Sequence, residues 1–261
     1  MFPILLRLGD FPIHTYGFLI AVGFLLCVWV SKREAQRQGL PSDRVVDLGF
    51  WSLLVGMLGA RILYIFTRWP YYLGHPIEML YVWEGGLVFF GGPLACIPFF
   101  FWYTRHYNLP RGKILDIGTQ ALPLAHAFGR LGCLSAGCCH GRATGGEWGI
   151  KLYTELVEDH LRGVYIHPTQ IYESISLLIL FFALRRMRFY KKFDGQITLT
   201  YLIVYSIIRS VVEIFRGDSV RGFVIDGLLS TSQFISILVI AVTLVFYFKK
   251  RNEWLTNSPL P

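Results

Sequence analysis

The chain has 261 residues and a formal net charge of +8, and 54% of its residues are hydrophobic whereas only 16% are charged. Soluble domains average about 25% charged residues, and a water-soluble fold of this size cannot bury so much apolar surface. These values exclude a soluble globular enzyme, a disordered chain and a nucleic-acid-binding module, and they indicate an integral membrane protein.

Seven apolar runs are long enough to cross a bilayer, which takes about 20 mostly apolar residues. In chain order they lie at about residues 12–30, 47–66, 86–103, 114–130, 170–184, 196–214 and 223–248. The first run is followed by Lys32 and Arg33 without a small-residue cleavage site, so we interpret it as a retained span. The sequence therefore predicts an all-α, polytopic membrane protein of about seven helices that forms a single transmembrane domain over residues 1–261.

The basic residues concentrate in alternate connecting segments. Fifteen of the 25 Lys and Arg residues follow the first, third, fifth and seventh runs. Basic loops stay on the cytoplasmic side, which predicts an N-terminus outside and a C-terminus in the cytoplasm. The longest loop, about residues 131–168, is then extracytoplasmic and is predicted to form a small cap between the fourth and fifth helices.

Six of the predicted spans place polar groups in the outer half of the bilayer, where ionisable residues are costly and usually functional. Three of these polar groups are arginine side chains inside the apolar runs: Arg61, Arg130 and Arg209. The alternative is that each arginine only extends to the headgroups. Glu213 can neutralise Arg209 or Arg216. The remaining positive charge predicts a site for the phosphate of an anionic lipid, open to the outer leaflet, because Arg binds phosphate through paired hydrogen bonds.

Three of the five cysteines, Cys133, Cys138 and Cys139, follow Arg130 closely. Their spacing fits no standard zinc pattern. A disulfide is an alternative on the oxidising side of a membrane. We favour a role in packing and loop shape beside the neighbouring glycines, and no metal site is predicted.

The residues Gly129–Arg142, GRLGCLSAGCCHGR, resemble the signature of the bacterial prolipoprotein diacylglyceryl transferase family, in a cysteine-bearing variant. The stretches Gly85–Gly92, His167–Glu173 and Arg209–Arg216 agree with the same family in order and spacing. Tyr16 and Arg61 also match. The resemblance extends from about residue 11 to the end of the last predicted span.

This resemblance implies a transferase of the bacterial cytoplasmic (inner) membrane that moves the diacylglyceryl group of phosphatidylglycerol to the lipobox cysteine thiol of lipoprotein precursors. A thioether forms and glycerol phosphate leaves. No cofactor and no nucleic-acid partner are expected. Catalytic roles are predicted for Arg130, Arg209 and His126. Phosphatidylglycerol binding is predicted for Arg130, Arg209, Tyr16, Arg61 and Gly141. Supporting roles are predicted for Glu213, Arg216, His167, Gln170, Tyr172 and Glu173.

One departure from the family concerns the base that accepts the thiol proton. Much of the family has a histidine where Phe90 stands, and phenylalanine cannot accept a proton. His126 precedes Arg130 by four residues and shares its helix face, so we predict that His126 takes this role. The alternatives are a packing histidine with a dispensable base, or an inactive relative that binds lipid or precursors. A membrane transporter is disfavoured, since no polar ladder or internal repeat is present in the sequence.

Overall fold

The computed structural model describes residues 3–9, 11–81, 85–154, 156–217, 223–225 and 229–257. Within this part of the chain the fold is mostly helical. The helices are α1 (Thr15–Arg37), α2 (Ser42–Thr67), α3 (Trp69–Gly74), α4 (Gly91–His106), α5 (Arg111–Ala136), α6 (Thr169–Met187), α7 (Gln196–Ile214) and α8 (Thr231–Asn257). Short antiparallel hairpins are formed by β1 (Ile4–Leu8) with β2 (Phe11–His14), β3 (Ile150–Lys151) with β4 (Tyr165–Ile166), and β5 (Phe223–Ile225) with β6 (Leu229–Ser230).

Four helices are long and apolar enough to cross a bilayer: α1, α2, α7 and α8. Only 11–28% of the residues in their most apolar windows are buried within the protein. The exposed remainder is apolar surface that water would not solvate, so these helices contact lipid and the chain is a multi-pass membrane protein. The helix α4 has 16 residues, which is short for a span, and α5 and α6 carry several polar side chains.

Three predicted spans differ from the helices at their N-terminal ends. The last run was predicted from residue 223, but residues 223–225 and 229–230 form β5 and β6, and α8 begins at Thr231. Short apolar runs do not distinguish strand from helix, which explains this error and the similar one at β2. The third run begins later than predicted because Gly85 and Gly86 have φ angles of 88° and 70°, outside the right-handed helical region.

The chain divides into two compact units, residues 31–114 and residues 1–30 with 115–261. In the unit of residues 31–114, α2 and α4 pack closely where two glycines meet. A Cβ on Gly91 would lie 2.8 Å from the Cα of Ala60. Glycine is therefore required at this position for the two helices to approach.

The other unit contains residues 15–30 of α1, the last helix α8 and the candidate site. Val30, Ala121 and Phe181 form a buried cluster contributed by α1, α5 and α6. A second cluster joins α6 and α7 through Leu180, Leu184, Ile197 and Tyr201. These contacts join α5, which carries His126 and Arg130, through α6 to α7, which carries Arg209.

A buried carboxylate joins α5 to the start of α7. Asp116 of α5 is fully buried and accepts hydrogen bonds from the backbone N–H groups of Gly195 and Thr198, at 3.0 and 3.1 Å. Lys191 donates to the same carboxylate at 3.0 Å. A carboxylate is favourable at a helix N-terminus because the first N–H groups have no partner within the helix. Asp116 is thus structural, which explains an acidic residue in the most polar predicted span.

The segment between α5 and α6 has a small core of its own. Leu152, Val157, Leu161 and Ile166 are buried against one another, beside the β3–β4 hairpin. This core stabilises a segment that contains little regular structure.

Candidate active site

Glu173 of α6 is the centre of a buried polar cluster. Its side chain is 1% exposed, and its Oε2 atom lies 3.1 Å from Nε of Arg130. Its Oε1 atom accepts a hydrogen bond from the hydroxyl of Tyr205 at 3.3 Å and lies 3.8 Å from Nε2 of His126. A buried carboxylate is tolerated only with positive and hydrogen-bonding partners, and here α5 and α7 supply them.

The helix α7 contributes a second ion pair, on the helix face that carries Tyr205. Nη2 of Arg209 lies 2.6 Å from Oε2 of Glu213, and both side chains are almost completely buried. This confirms the prediction that Glu213 neutralises Arg209 or Arg216, with Arg209 as its partner. Tyr205, Arg209 and Glu213 are four residues apart, so they lie on one face of α7.

The charge balance differs from the sequence-based expectation. Arg130 and Arg209 each have a carboxylate partner, because Glu173 lies in the cluster as well as Glu213. The predicted surplus of positive charge is therefore smaller than the count of arginines suggested. Each guanidinium has five N–H donors, so one carboxylate partner does not exhaust its capacity to bind a phosphate.

The loop after α5 is attached to the first turn of α6. Oγ1 of Thr169 donates to the carbonyl of Cys139 at 2.9 Å, and Nε2 of Gln170 donates to the carbonyl of Cys138 at 2.8 Å. The amide of Gly141 donates to the carbonyl of His167 at 3.1 Å. A Cβ on Gly141 would lie 2.8 Å from the carbonyl oxygen of Phe215, so only glycine permits this close approach.

Three thiols meet at this loop. The sulfur atoms of Cys133, Cys138 and Cys139 all lie within 4.8 Å of one another, half-buried and without a disulfide. Two left-handed residues shape the turn, with φ angles of 82° at Gly137 and 60° at Cys139. The sequence did not predict this convergence, because the spacing alone does not reveal a left-handed turn.

Tyr16, at the start of α1, lies beside these thiols. A Cβ on Gly132 would lie 3.0 Å from Cδ2 of the Tyr16 ring, so the tyrosine packs on the last turns of α5. Its hydroxyl interacts electrostatically with Arg130 and with the three cysteines. Tyr16 therefore borders both the arginine cluster and the thiol cluster.

The sequence profile of the prolipoprotein diacylglyceryl transferase family matches residues 3–249. The chain belongs to this family. A relative from Lactobacillus delbrueckii subsp. bulgaricus is 33% identical over 258 residues, which cover 95% of this chain and 91% of the relative. A relative from Enterococcus faecalis is 33% identical over 261 residues, covering 95% and 94%, and one from Bacillus cereus is 32% identical over 253 residues, covering 95% and 91%. All three are named phosphatidylglycerol–prolipoprotein diacylglyceryl transferase.

Membership of the diacylglyceryl transferase family confirms the resemblance found in four motifs. Two of the predicted supporting residues of this family member, His167 and Tyr172, line an open apolar groove of about 390 Å³ with Trp148 and Phe215. The Tyr172 hydroxyl lies 3.4 Å from Nδ1 of His167. Burial lowers the pKa of His167, and the charge of Arg142 lowers it further, which favours a neutral ring at pH 7.

In the unit of residues 31–114, Arg61 is held by backbone carbonyl groups. Its guanidinium donates to the carbonyls of Glu78, Met79, Gly85 and Gly86 at 2.6–3.3 Å. These bonds fasten the Gly85–Gly86 segment to α2. Phe90, where much of this transferase family has a histidine, lies directly before α4 and is 55% exposed.

The residue that sequence reasoning missed in this family member is Tyr205. It lies four residues before Arg209, and that spacing was the available signal. Glu173 was predicted as a supporting residue, but its central position was not anticipated. Arg216, the last residue of the Arg209–Arg216 motif, pairs through its backbone with Gly141.

Proposed function

We propose that the protein transfers the diacylglyceryl group of phosphatidylglycerol to the lipobox cysteine thiol of lipoprotein precursors. The observation that carries this proposal is the buried cluster of Arg130, Glu173, His126 and Tyr205, with the Arg209–Glu213 pair on the same face of α7 as Tyr205. The cluster lies in a chain that the family profile matches over nearly its whole length. Its relatives carry the name of this activity.

The reaction breaks the bond between the glyceryl carbon and a phosphate oxygen. Glycerol phosphate leaves, and its phosphate gains a second negative charge as the bond breaks. Arg130 and Arg209 hold this phosphate and stabilise the developing charge, as preorganised donors do in a site that excludes water. Glu173 and Glu213 orient the two guanidinium groups.

Tyr16 and Gly141 border the lipid headgroup in this arrangement. Arg61 contributes to lipid binding indirectly in this proposal, because it holds the Gly85–Gly86 segment through the backbone carbonyls.

The side chain of Gln170 could explain why the enzyme selects a lipid with a glycerol headgroup. Its side chain is almost fully buried, and its Oε1 atom has no hydrogen-bond partner among the residues that the structure describes. An unsatisfied buried acceptor costs free energy, and a hydroxyl group of the headgroup glycerol would satisfy it. Gln170 lies three residues before Glu173, on adjacent turns of α6.

His126 takes the thiol proton in this mechanism. It is partly exposed, and its Nε2 atom lies 3.8 Å from Glu173, whose charge would stabilise the imidazolium that forms. The nucleophile is the thiolate of the precursor cysteine. No covalent intermediate with the enzyme is required.

The topology completes the proposal. Seven helices cross the bacterial cytoplasmic membrane with the N-terminus outside, and the segment from 131 to 168 forms an extracytoplasmic cap. An epitope inserted after position 160 should bind antibody on intact spheroplasts, and one inserted after position 190 should bind only after permeabilisation. The reverse result would overturn the orientation.

The activity is tested with purified protein in phosphatidylglycerol nanodiscs and a lipobox peptide. Radiolabelled diacylglyceryl should move to the peptide, and a peptide with serine in place of the lipobox cysteine should remain unlabelled. Phe90 favours a second candidate, an inactive relative that binds lipid or precursors. Lipid binding without transfer, together with failure to complement loss of the transferase in cells, would support that second candidate.

A further inference from the structure

The thiol cluster is a feature that the proposed mechanism does not use. Cys133 lies in the last turn of α5, and Cys138 and Cys139 lie in the turn that follows. Their sulfur atoms converge to within 4.8 Å of one another, half-buried and not joined by a disulfide. Packing requires no such convergence of three sulfurs, and a disulfide would consume only two of them.

The spacing of the sulfurs is close to that of a metal site. Three sulfurs bound to one zinc ion at about 2.3 Å stand about 3.8–4.0 Å apart. The cluster therefore needs to contract by no more than about 1 Å to bind zinc. Thr169 and Gln170 hold the carbonyls of Cys139 and Cys138 at 2.9 and 2.8 Å, so the backbone that carries two of the ligands is already fixed.

The surroundings suit a thiolate-rich site. Zinc with three thiolates carries a net charge of −1, and Arg130 interacts electrostatically with Cys133 and Cys139. Thiolate ligands select zinc over magnesium or calcium, which prefer oxygen. Three protein ligands leave one coordination position open, which is the arrangement of catalytic zinc sites.

We propose that Cys133, Cys138 and Cys139 bind a zinc ion whose fourth coordination position takes the thiol of the incoming lipobox cysteine. The inference rests on the proposed function, because it assigns a place to that substrate. His126, Arg130 and Cys133 lie at positions i, i+4 and i+7 of α5, on one helix face. The thiol site, the phosphate site and the proton acceptor are thus aligned along a single helix.

The step balances without an oxidant or reductant. The precursor thiol loses its proton to His126 as its sulfur binds zinc. The sulfur then forms a bond to the glyceryl carbon, the bond from that carbon to the phosphate oxygen breaks, and the electron pair leaves with glycerol phosphate. The product is a neutral thioether, which is a weaker ligand for zinc than a thiolate and dissociates.

Zinc also compensates for phenylalanine at position 90. A thiol with a pKa near 8.5 is about 3% ionised at pH 7, and a thiol that coordinates zinc is deprotonated outright. Coordination therefore raises the thiolate fraction about thirtyfold. A base at position 90 is then not needed to generate the nucleophile.

The first test is metal content. The full-length protein purified in detergent without chelators should contain one zinc ion per chain by elemental analysis. Cys133→Ser should lose most of this zinc. Cys96→Ser is the matched control, because the Cys96 thiol donates to the carbonyl of Ser52 within the other unit and a serine hydroxyl preserves that bond. A folded wild-type protein that binds no zinc when zinc is supplied would overturn the proposal.

The second test addresses the open position. Protein reconstituted with cobalt(II) should show thiolate-to-cobalt absorption, and a lipobox peptide should increase it, whereas the serine peptide should not. Chelation should lower transfer about thirtyfold, and added zinc should restore it. Full transfer by metal-free protein, or a spectrum unchanged by the peptide, would overturn the zinc proposal and leave the transferase function intact. Zinc-loaded protein that binds the peptide thiol without transfer would contradict the proposed function instead.

Discussion

Replacing Glu173 by glutamine tests whether the buried cluster positions Arg130 for a lipid phosphate. The substitution preserves the shape of the side chain and removes its charge. The negative charge is then lost 3.1 Å from Nε of Arg130 and 3.8 Å from Nε2 of His126. Breaking a buried ion pair by removing one partner costs about 3–5 kcal/mol of stability, so the variant should unfold at a lower temperature than the wild type.

The same change should separate binding from turnover. Glu173 competes with the lipid phosphate for Arg130, and two unit charges about 4 Å apart interact by about 4 kcal/mol at an effective dielectric constant of 20. One third of this interaction, about 1.4 kcal/mol, already corresponds to a factor of ten, so losing this competitor should tighten phosphatidylglycerol binding by at least about tenfold. A guanidinium displaced by about 1 Å costs about a hundredfold in rate. We therefore expect a lower KM for the lipid together with a lower kcat.

Transfer assays in nanodiscs of varied phosphatidylglycerol content measure both quantities. Tyr205→Phe is the matched control, because it removes one hydrogen bond to Glu173 and no charge. It should cost only about 1 kcal/mol of stability and leave the lipid KM near the wild-type value. A Glu173→Gln variant with unchanged kcat and KM would refute the positioning role.

Substitutions at Arg130, His126 and Asp116 test the other assignments. Arg130→Lys should reduce transfer nearly as much as Arg130→Ala, since a point charge cannot replace the guanidinium fork; near-normal transfer by the lysine variant would mean that Arg130 does not grip the phosphate. His126→Ala and His126→Gln should each lower transfer about a hundredfold, whereas a packing role would let glutamine restore the rate. Asp116→Ala leaves Lys191 without its buried carboxylate and should cost about 3 kcal/mol of stability; an unchanged midpoint of thermal unfolding in detergent would argue against its structural role.

The sequence predicted local relationships better than distant ones. The Arg209–Glu213 pair follows from helical spacing, because residues four apart face each other on a helix. The pairing of Arg130 with Glu173 joins two helices across 43 positions of sequence, and no periodic pattern reveals such a contact. The family resemblance identified both residues, but their contact required the fold.

Backbone conformation limited the prediction elsewhere. Hydropathy located α8 but not its start, since β5 and β6 are as apolar as a helix. The convergence of three thiols depends on left-handed residues at Gly137 and Cys139. A non-glycine residue rarely adopts that conformation, so the residue type at position 139 does not predict a left-handed backbone there.

The hydrogen bonds of Asp116 limit how many residues α5 can contain between Asp116 and Arg130. It fixes the start of α7 to α5, so the two helices are in register from that point. Arg130 lies 14 residues further along α5, about 21 Å away at 1.5 Å per residue. Inserting one residue between Asp116 and Arg130 would shift the guanidinium by about 1.5 Å along the axis and about 100° around it, away from Glu173. The number of residues between Asp116 and Arg130 is therefore constrained as tightly as the identity of either residue.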